Sequence, residues 1–239
     1  MKFAVIAATA LIAGLVQGVT GFGAGIVLMM ALPYFLPVPQ SAGVSTGICI
    51  VLFVSMIIRY RRAINLKKAL LPSVLNIAIC TVTISFATGV DQHLAKKILG
   101  GFLLLLAVYY LFLSPSGGAK PIPLPARLAC IIISAVCDGL FGIGGPLMVV
   151  YFLSRTDSKE EYLGTIQAFF LINAVYNTAF RIIRGIILPE HLLLIVIGAA
   201  GIVLGALIAG RVVDRLNESI LRKLVYGMIG VSGILNLVL

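Results

Sequence analysis

Residues 18–25 read GVTGFGAG, and residues 139–146 read GLFGIGGP. At a spacing of 121, Gly18, Gly21 and Gly23 fall on Gly139, Gly142 and Gly144. The same register sets Gln17 on Asp138, Ala24 on Gly145 and Gly25 on Pro146. Both stretches sit inside long apolar runs, and glycine at this density interrupts a helix. Each stretch follows apolar chain enough for a half-helix of about 11 residues, which reaches about 16 Å, half the hydrocarbon of a bilayer. The chain is therefore expected to enter from one side, break, and return; one long kinked crossing is the alternative. Broken backbone at that depth survives only when it is buried in protein or lines a cavity.

The surrounding composition fixes the medium. Hydrophobic residues make up 61% of the 239 and charged residues 11%. Soluble domains run near 45–50% and about 25%, so the chain reads as an all-α, polytopic membrane protein. The net charge of +10 is not a nucleic-acid footprint. Its cations come in short clusters between apolar runs, as membrane-flanking loops require. Residues 1–14 imitate a signal peptide, but the apolar character continues after them, which favours a retained segment. Cys49, Cys80, Cys130 and Cys137 lie in apolar stretches without a CxxC pair. With His93 and His191 at loop edges, no metal site, disulfide framework or cofactor is expected.

Eight apolar segments follow from charge cluster to charge cluster: 3–36, 41–58, 70–89, 95–113, 126–154, 161–180, 191–210 and 218–238. Six have the length of one crossing; the first and fifth are longer and carry the glycine breaks. Residues 114–125, rich in Pro and Gly, form a linker between residues 1–113 and 126–239. Past the breaks the repeat continues at a spacing of 122, where Arg59 and Arg62 fall on Arg181 and Arg184. The chain thus reads as two four-segment repeats, the first segment of each broken or re-entrant.

Charge distribution orients the repeats. With segments one and five re-entrant, residues 59–68, 114–127, 155–159 and 211–223 share one face with 13 Lys and Arg, against 5 opposite. Eight crossings would give 10 against 8. The first arrangement obeys the positive-inside rule more clearly. It puts both termini on the periplasmic face and makes the halves inverted, as in many secondary transporters.

The glycines also carry the candidate chemistry. A helix N-terminus has unpaired N–H groups and partial positive charge. Residues without Cβ let an anion reach those groups. Two such tips meeting in the membrane would bind an anion without formal positive charge, although small residues also serve plain helix packing. The candidate substrate-binding set is Gly18, Gly21, Gly23, Gly25, Gly139, Gly142, Gly144 and Gly145, with Gln17, Thr20, Thr46, Asp138 and Gln167. Asp138 is an acid within an apolar segment, so it is read as a carrier of a coupling proton or as a cap of the break. Ser45, Asn76, Asn173 and Asn177 are further polar groups at plausible depth. Arg59, Arg62, Arg181 and Arg184 end corresponding spans, where they would attract oxyanions at the mouths or snorkel.

At these residues the chain resembles the TauE/SafE family, also described as sulfite/sulfonate exporters. The resemblance covers essentially the whole length. It rests on the duplicated glycine motif and on small-residue starts to the next helix, Ser41–Thr46 and Leu163-Gly164-Thr165. It implies movement of small sulfur-containing anions, such as sulfite, sulfonates or sulfoacetate, across the bacterial inner membrane. A membrane-embedded enzyme would need a catalytic constellation, and the sequence offers no His/Glu cluster, Ser/His pair or nucleotide loop. An anion channel or a cation or metal exporter of the same architecture is the alternative. The sequence says nothing of oligomeric state.

Overall fold

The computed structural model describes residues 2–108 and 122–212, with residues 230, 231, 233, 234 and 236–238 near the C-terminus. The described elements are helical: α1 (Lys2–Thr20), α2 (Ala24–Ala31), α3 (Val38–Tyr60), α4 (Leu66–Ala87), α5 (Gln92–Val108), α6 (Leu124–Phe141), α7 (Gly145–Leu153), α8 (Lys159–Ile183) and α9 (Leu192–Val212), with short 3₁₀ turns at Leu32–Tyr34 and Pro189–His191. Among the described residues six helices are long and apolar enough to cross a membrane: α1, α3, α4, α6, α8 and α9 with the turn before it. Large apolar side chains cover the outside, with Phe86 and Ile183 71% and 80% exposed. Such a surface suits lipid rather than water. The eighth apolar segment and the linker fall largely outside the described residues.

Local chemistry sets the helix ends. Pro37 precedes α3 and Pro123 precedes α6, where a missing N–H costs nothing. Asn65 caps α4 by accepting from the Lys68 N–H at 3.3 Å, and Ser158 caps α8 by accepting from the Glu161 N–H at 3.1 Å. Glycines with positive φ stop α1 at Gly21 (80°) and Gly23 (102°), and α6 at Gly142 (67°). Lys68 on α4 pairs with Glu161 of α8 at 2.9 Å and with Asp157 at 3.2 Å, tying the two halves together at one end of the bundle.

Packing shows the helix directions. Gly14 of α1 meets Ile202 of α9, and Gly18 meets Ala209, so α1 and α9 run parallel. Gly43 of α3 meets Ile187, and Gly47 meets Ile195, so α3 shares that direction. The chain therefore turns back through α2 before α3 begins. Likewise Cys80 of α4 donates to the Ala135 carbonyl at 3.3 Å while Gly139 meets Thr83, making α4 and α6 parallel. Asn173 of α8 donates to Ser73 Oγ at 3.3 Å, and Thr81 meets Tyr176 at 2.6 Å, which adds α8 to that set. α7 is thus a second return arm between α6 and α8. The arms differ from the expected half-helices. α1 has 19 residues and α6 has 18, each long enough to cross, while α2 has 8 and α7 has 9. The breaks close long hairpins with one short limb, because Gly14 and Gly18 in α1 and Gly139 in α6 stay helical and positive φ first appears at residues 21 and 142.

Small residues set the closest approaches. Gly14-x-x-x-Gly18 on α1 faces Gly201-x-x-x-Gly205 on α9. A Cβ on Gly201 would stand 2.6 Å from the Ala7 carbonyl oxygen, and one on Gly14 would collide with the Ile202 carbonyl. This is small-residue packing, in which backbones approach because lipid supplies no hydrophobic drive between helices.

Candidate functional site

The two breaks meet. A Cβ on Gly25 would lie 2.9 Å from the Gly142 carbonyl oxygen, and one on Gly145 would lie 3.8 Å from Phe22 Cβ. Between them and the facing parts of α3 and α8 is a cavity of about 60 Å³. On the scale at which a water needs about 10–15 Å³, it holds about four to six water-sized groups. Gln17, Thr46, Asn173, Asp138 and five glycines (Gly23, Gly25, Gly142, Gly144, Gly145) supply the polar part of its lining. Phe53, Phe169, Phe170, Cys49, Ile26, Ile143 and Ala174 supply the apolar part. One carboxylate and no Lys or Arg appear in that wall.

A closed set of amides holds the first break. Gln17 Oε1 accepts from the Ala24 N–H at 3.0 Å, capping α2, and Gln17 Nε2 donates to Gln167 Oε1 at 3.1 Å. Gln167 Nε2 in turn donates to the Gly21 carbonyl at 2.7 Å. Both glutamines are buried, so every bond in this set is made away from water.

The second break is built differently. Ser134 Oγ donates to the Gly144 carbonyl, folding the start of α7 back onto α6. Asp138 Oδ2 accepts from Asn76 Nδ2 at 3.1 Å and from Asn177 Nδ2 at 2.9 Å, with Cys80 Sγ at 3.6 Å. Asn76 Nδ2 also donates to Asn173 Oδ1 at 2.9 Å. Arg181 is fully buried. Its guanidinium donates to the carbonyls of Gly139 at 2.7 Å, Asp138 at 3.4 Å and Pro39 at 3.0 Å. It therefore closes the C-terminus of α6, where helix carbonyls lack partners.

Of the expected site residues, Gln17, Gly23, Gly25, Thr46, Asp138, Gly142, Gly144 and Gly145 line the cavity. Gln167 stands behind Gln17. Gly18 packs on Ala209, Gly21 on Leu163 and Gly139 on Thr83. Thr20 turns to the Val16 and Phe22 carbonyls at 2.9 and 2.7 Å. Arg59, Arg62 and Arg184 are exposed, whereas Arg181 sits inside rather than at a mouth. The α6 carbonyls explain this, since a buried helix end needs donors. The aromatic wall of Phe53, Phe169 and Phe170 was not anticipated. Phenylalanine in an apolar span carries no sequence mark of facing a cavity.

This fold is that of a multi-pass helical membrane protein, with a largely apolar chamber where two interrupted helices converge. The chain belongs to the sulfite exporter TauE/SafE family, whose profile matches residues 6–235. A probable membrane transporter protein of Methanocaldococcus jannaschii is 25% identical over 158 residues, 60% of this chain. The chain's match covers 58% of that relative's length. No solved structure matches.

Proposed function

We propose that the protein is a secondary transporter moving small anions, sulfur-containing oxyanions or organosulfonates, across the bacterial inner membrane. The observation that carries this reading is the convergence of both glycine breaks on one cavity with no cationic side chain in its wall. Gln17 occupies the Ala24 N–H and Pro146 has none, so Gly25, Gly144 and Gly145 are the backbone donors for the anion. Their lack of Cβ permits the approach. Gln17 Nε2 keeps a second N–H for the anion, whereas Thr46 donates to the Ala42 carbonyl and Asn173 to Ser73 and Phe169; the phenylalanines exclude water, which strengthens each hydrogen bond to the charge.

The two-repeat reading belongs to this proposal. α1 packs on α9, the third segment of the other half, and α6 packs on α4, the third segment of the first half. α1 and α6 run in opposite directions, as inverted repeats require. In that arrangement the N-terminus and the α8–α9 turn are periplasmic, and residues 59–68 are cytoplasmic. A cation or metal exporter is poorly served by a single carboxylate held by amide donors. The experiment is uptake into proteoliposomes with radiolabelled sulfite, methanesulfonate, sulfoacetate and an acetate control. Saturable uptake of the sulfur anions above acetate supports the reading, and equal uptake of all four, or of none, refutes it. A channel would pass the anion without accumulating it against a gradient.

A further inference from the structure

Asp138 has a hydrogen-bonding shell with two unused ends. Asn76 and Asn177 both present Nδ2 to the same carboxylate oxygen, while their Oδ1 atoms are buried and accept no hydrogen bond. Two N–H donors suit an ionised carboxylate. A protonated carboxyl has an O–H to donate and needs an acceptor. A half-turn of a neighbouring amide about Cβ–Cγ exchanges Nδ2 for Oδ1 and supplies one. The two amides are not equally free to make that turn. Asn76 Nδ2 is also held by Asn173 Oδ1, and Asn173 Nδ2 is held by the Phe169 carbonyl at 2.7 Å. Apart from Asp138, Asn177 Nδ2 has only Cys80 Sγ, at 3.7 Å, among the described residues. Asn177 is therefore the amide that can turn, and Asn76 with Asn173 forms a fixed link to the cavity that Asn173 and Asp138 both line.

Among the ionisable groups facing Asp138, Arg181 is the cation whose charge acts on it, and it does so without touching the carboxylate. Arg181 of α8 spends its bonded N–H groups on backbone carbonyls and forms no ion pair with the carboxylate among the described residues. Cys80 of α4, Cys49 of α3 and the adjacent Cys137 are the remaining groups within its field, and the start of α7 brings only glycines. An oxyanion entering this cavity meets a carboxylate that Arg181 offsets only from a distance, without a direct ion pair. Two like charges about 4 Å apart at an effective dielectric near 20 weaken binding by at most about a thousandfold, and Arg181 reduces that figure.

We propose that Asp138 binds a proton that travels with the anion, with the Asn177 amide turning to accept the new O–H. This rests on the anion-transport reading and adds its coupling. The proton comes from the aqueous side that the anion enters, adds to a carboxylate oxygen, and leaves to the other side when the anion is released; no other bond changes. Proton and anion move in the same direction. At one proton per monoanion, one unit of pH difference supports up to about tenfold accumulation.

The test uses proteoliposomes, membrane potential clamped, with radiolabelled methanesulfonate and sulfite, each against protein-free liposomes. An acid exterior should drive about tenfold accumulation per pH unit, with one proton entering per methanesulfonate by an internal pH dye. Asp138→Asn should lose accumulation and leave whatever exchange remains insensitive to pH from about 5.5 to 8. Asn177→Leu should keep pH-dependent exchange but move its midpoint upward by about one unit, because the ionised form loses the stronger, charge-assisted hydrogen bond. A solely structural Asn177 would leave the midpoint in place. Wild-type transport that ignores the pH gradient, or follows sodium instead, overturns the proton step alone. Wild-type protein that moves neither anion overturns the anion-transport reading and this proposal with it.

Discussion

Gly145→Ala separates binding from folding at the glycine tips. Most glycines here cannot test the site cleanly. Gly23 has φ 102°, and a Cβ on Gly25 would press on the Gly142 carbonyl, so substitution at either disturbs the backbone itself. Gly145 is the first residue of α7, and a Cβ there meets Phe170 at 3.6 Å and Phe22 at 3.8 Å, ordinary contact distances. The methyl fits the protein but occupies the cavity wall beside the proposed anion. Losing one hydrogen bond from backbone to a charged ligand costs about 1.5–3 kcal/mol, or about 10- to 150-fold in affinity. Stability should hold, since alanine is the better helix former. We expect the variant to be monodisperse with a melting temperature within a few degrees of wild type, while half-saturation for methanesulfonate or sulfite uptake rises at least about tenfold. Unchanged half-saturation in a protein carrying this methyl would refute the placement of the anion at the α7 tip.

Gly14→Ala should behave in the opposite way: its Cβ collides with the Ile202 backbone, so the α1–α9 contact opens at a cost of about 1–3 kcal/mol or more, read as a lower melting temperature and poor yield. Arg181→Leu should destabilise by about 2–5 kcal/mol, because the carbonyls of Pro39 and Gly139 lose their buried donor; a melting temperature equal to wild type would show that those carbonyls find other partners. Single cysteines beside Lys67 and Lys96, placed in a background lacking the four native ones, should react with impermeant reagents from opposite sides of the membrane. Labelling of both from one side would remove the inverted arrangement.

The glycine stretches were legible because a positive φ has few sequence solutions, and Gly21, Gly23 and Gly142 adopt one. Limb length was not. Residues 3–16 are apolar apart from Thr9 and show no step in hydropathy where a half-helix would begin, so the distance from the N-terminus to the break gave no sign that α1 continues without interruption. Arg181 shows a second limit. In sequence it matches Arg59 and ends a span, which reads as an interfacial cation. Its burial follows from three carbonyl oxygens contributed by α3 and α6, and no local pattern on α8 encodes them. Polar residues inside apolar runs marked the Asp138 region. Their pairing across 39 to 97 residues of chain is a tertiary fact.

The register that pairs Gln17 with Asp138 places two different chemistries at matching positions. Gln17 is neutral and held at both ends: one end caps α2, the other binds Gln167, and Gln167 returns to Gly21. No change of protonation is available to any member of that set, so the first break keeps one arrangement across physiological pH. Asp138 does not cap α7; it faces three side chains from α4 and α8, two of which hold spare acceptors. Adding one proton alters both the charge and the donor count at the second break while leaving the first untouched. A bound proton or anion can shift a protein between two arrangements only where it binds them unequally. Near-identical halves would respond together. If Asp138 takes the proposed proton, the exchange of one amide for one carboxylate leaves the first break fixed and the second responsive, and motion should begin where α6 meets α7.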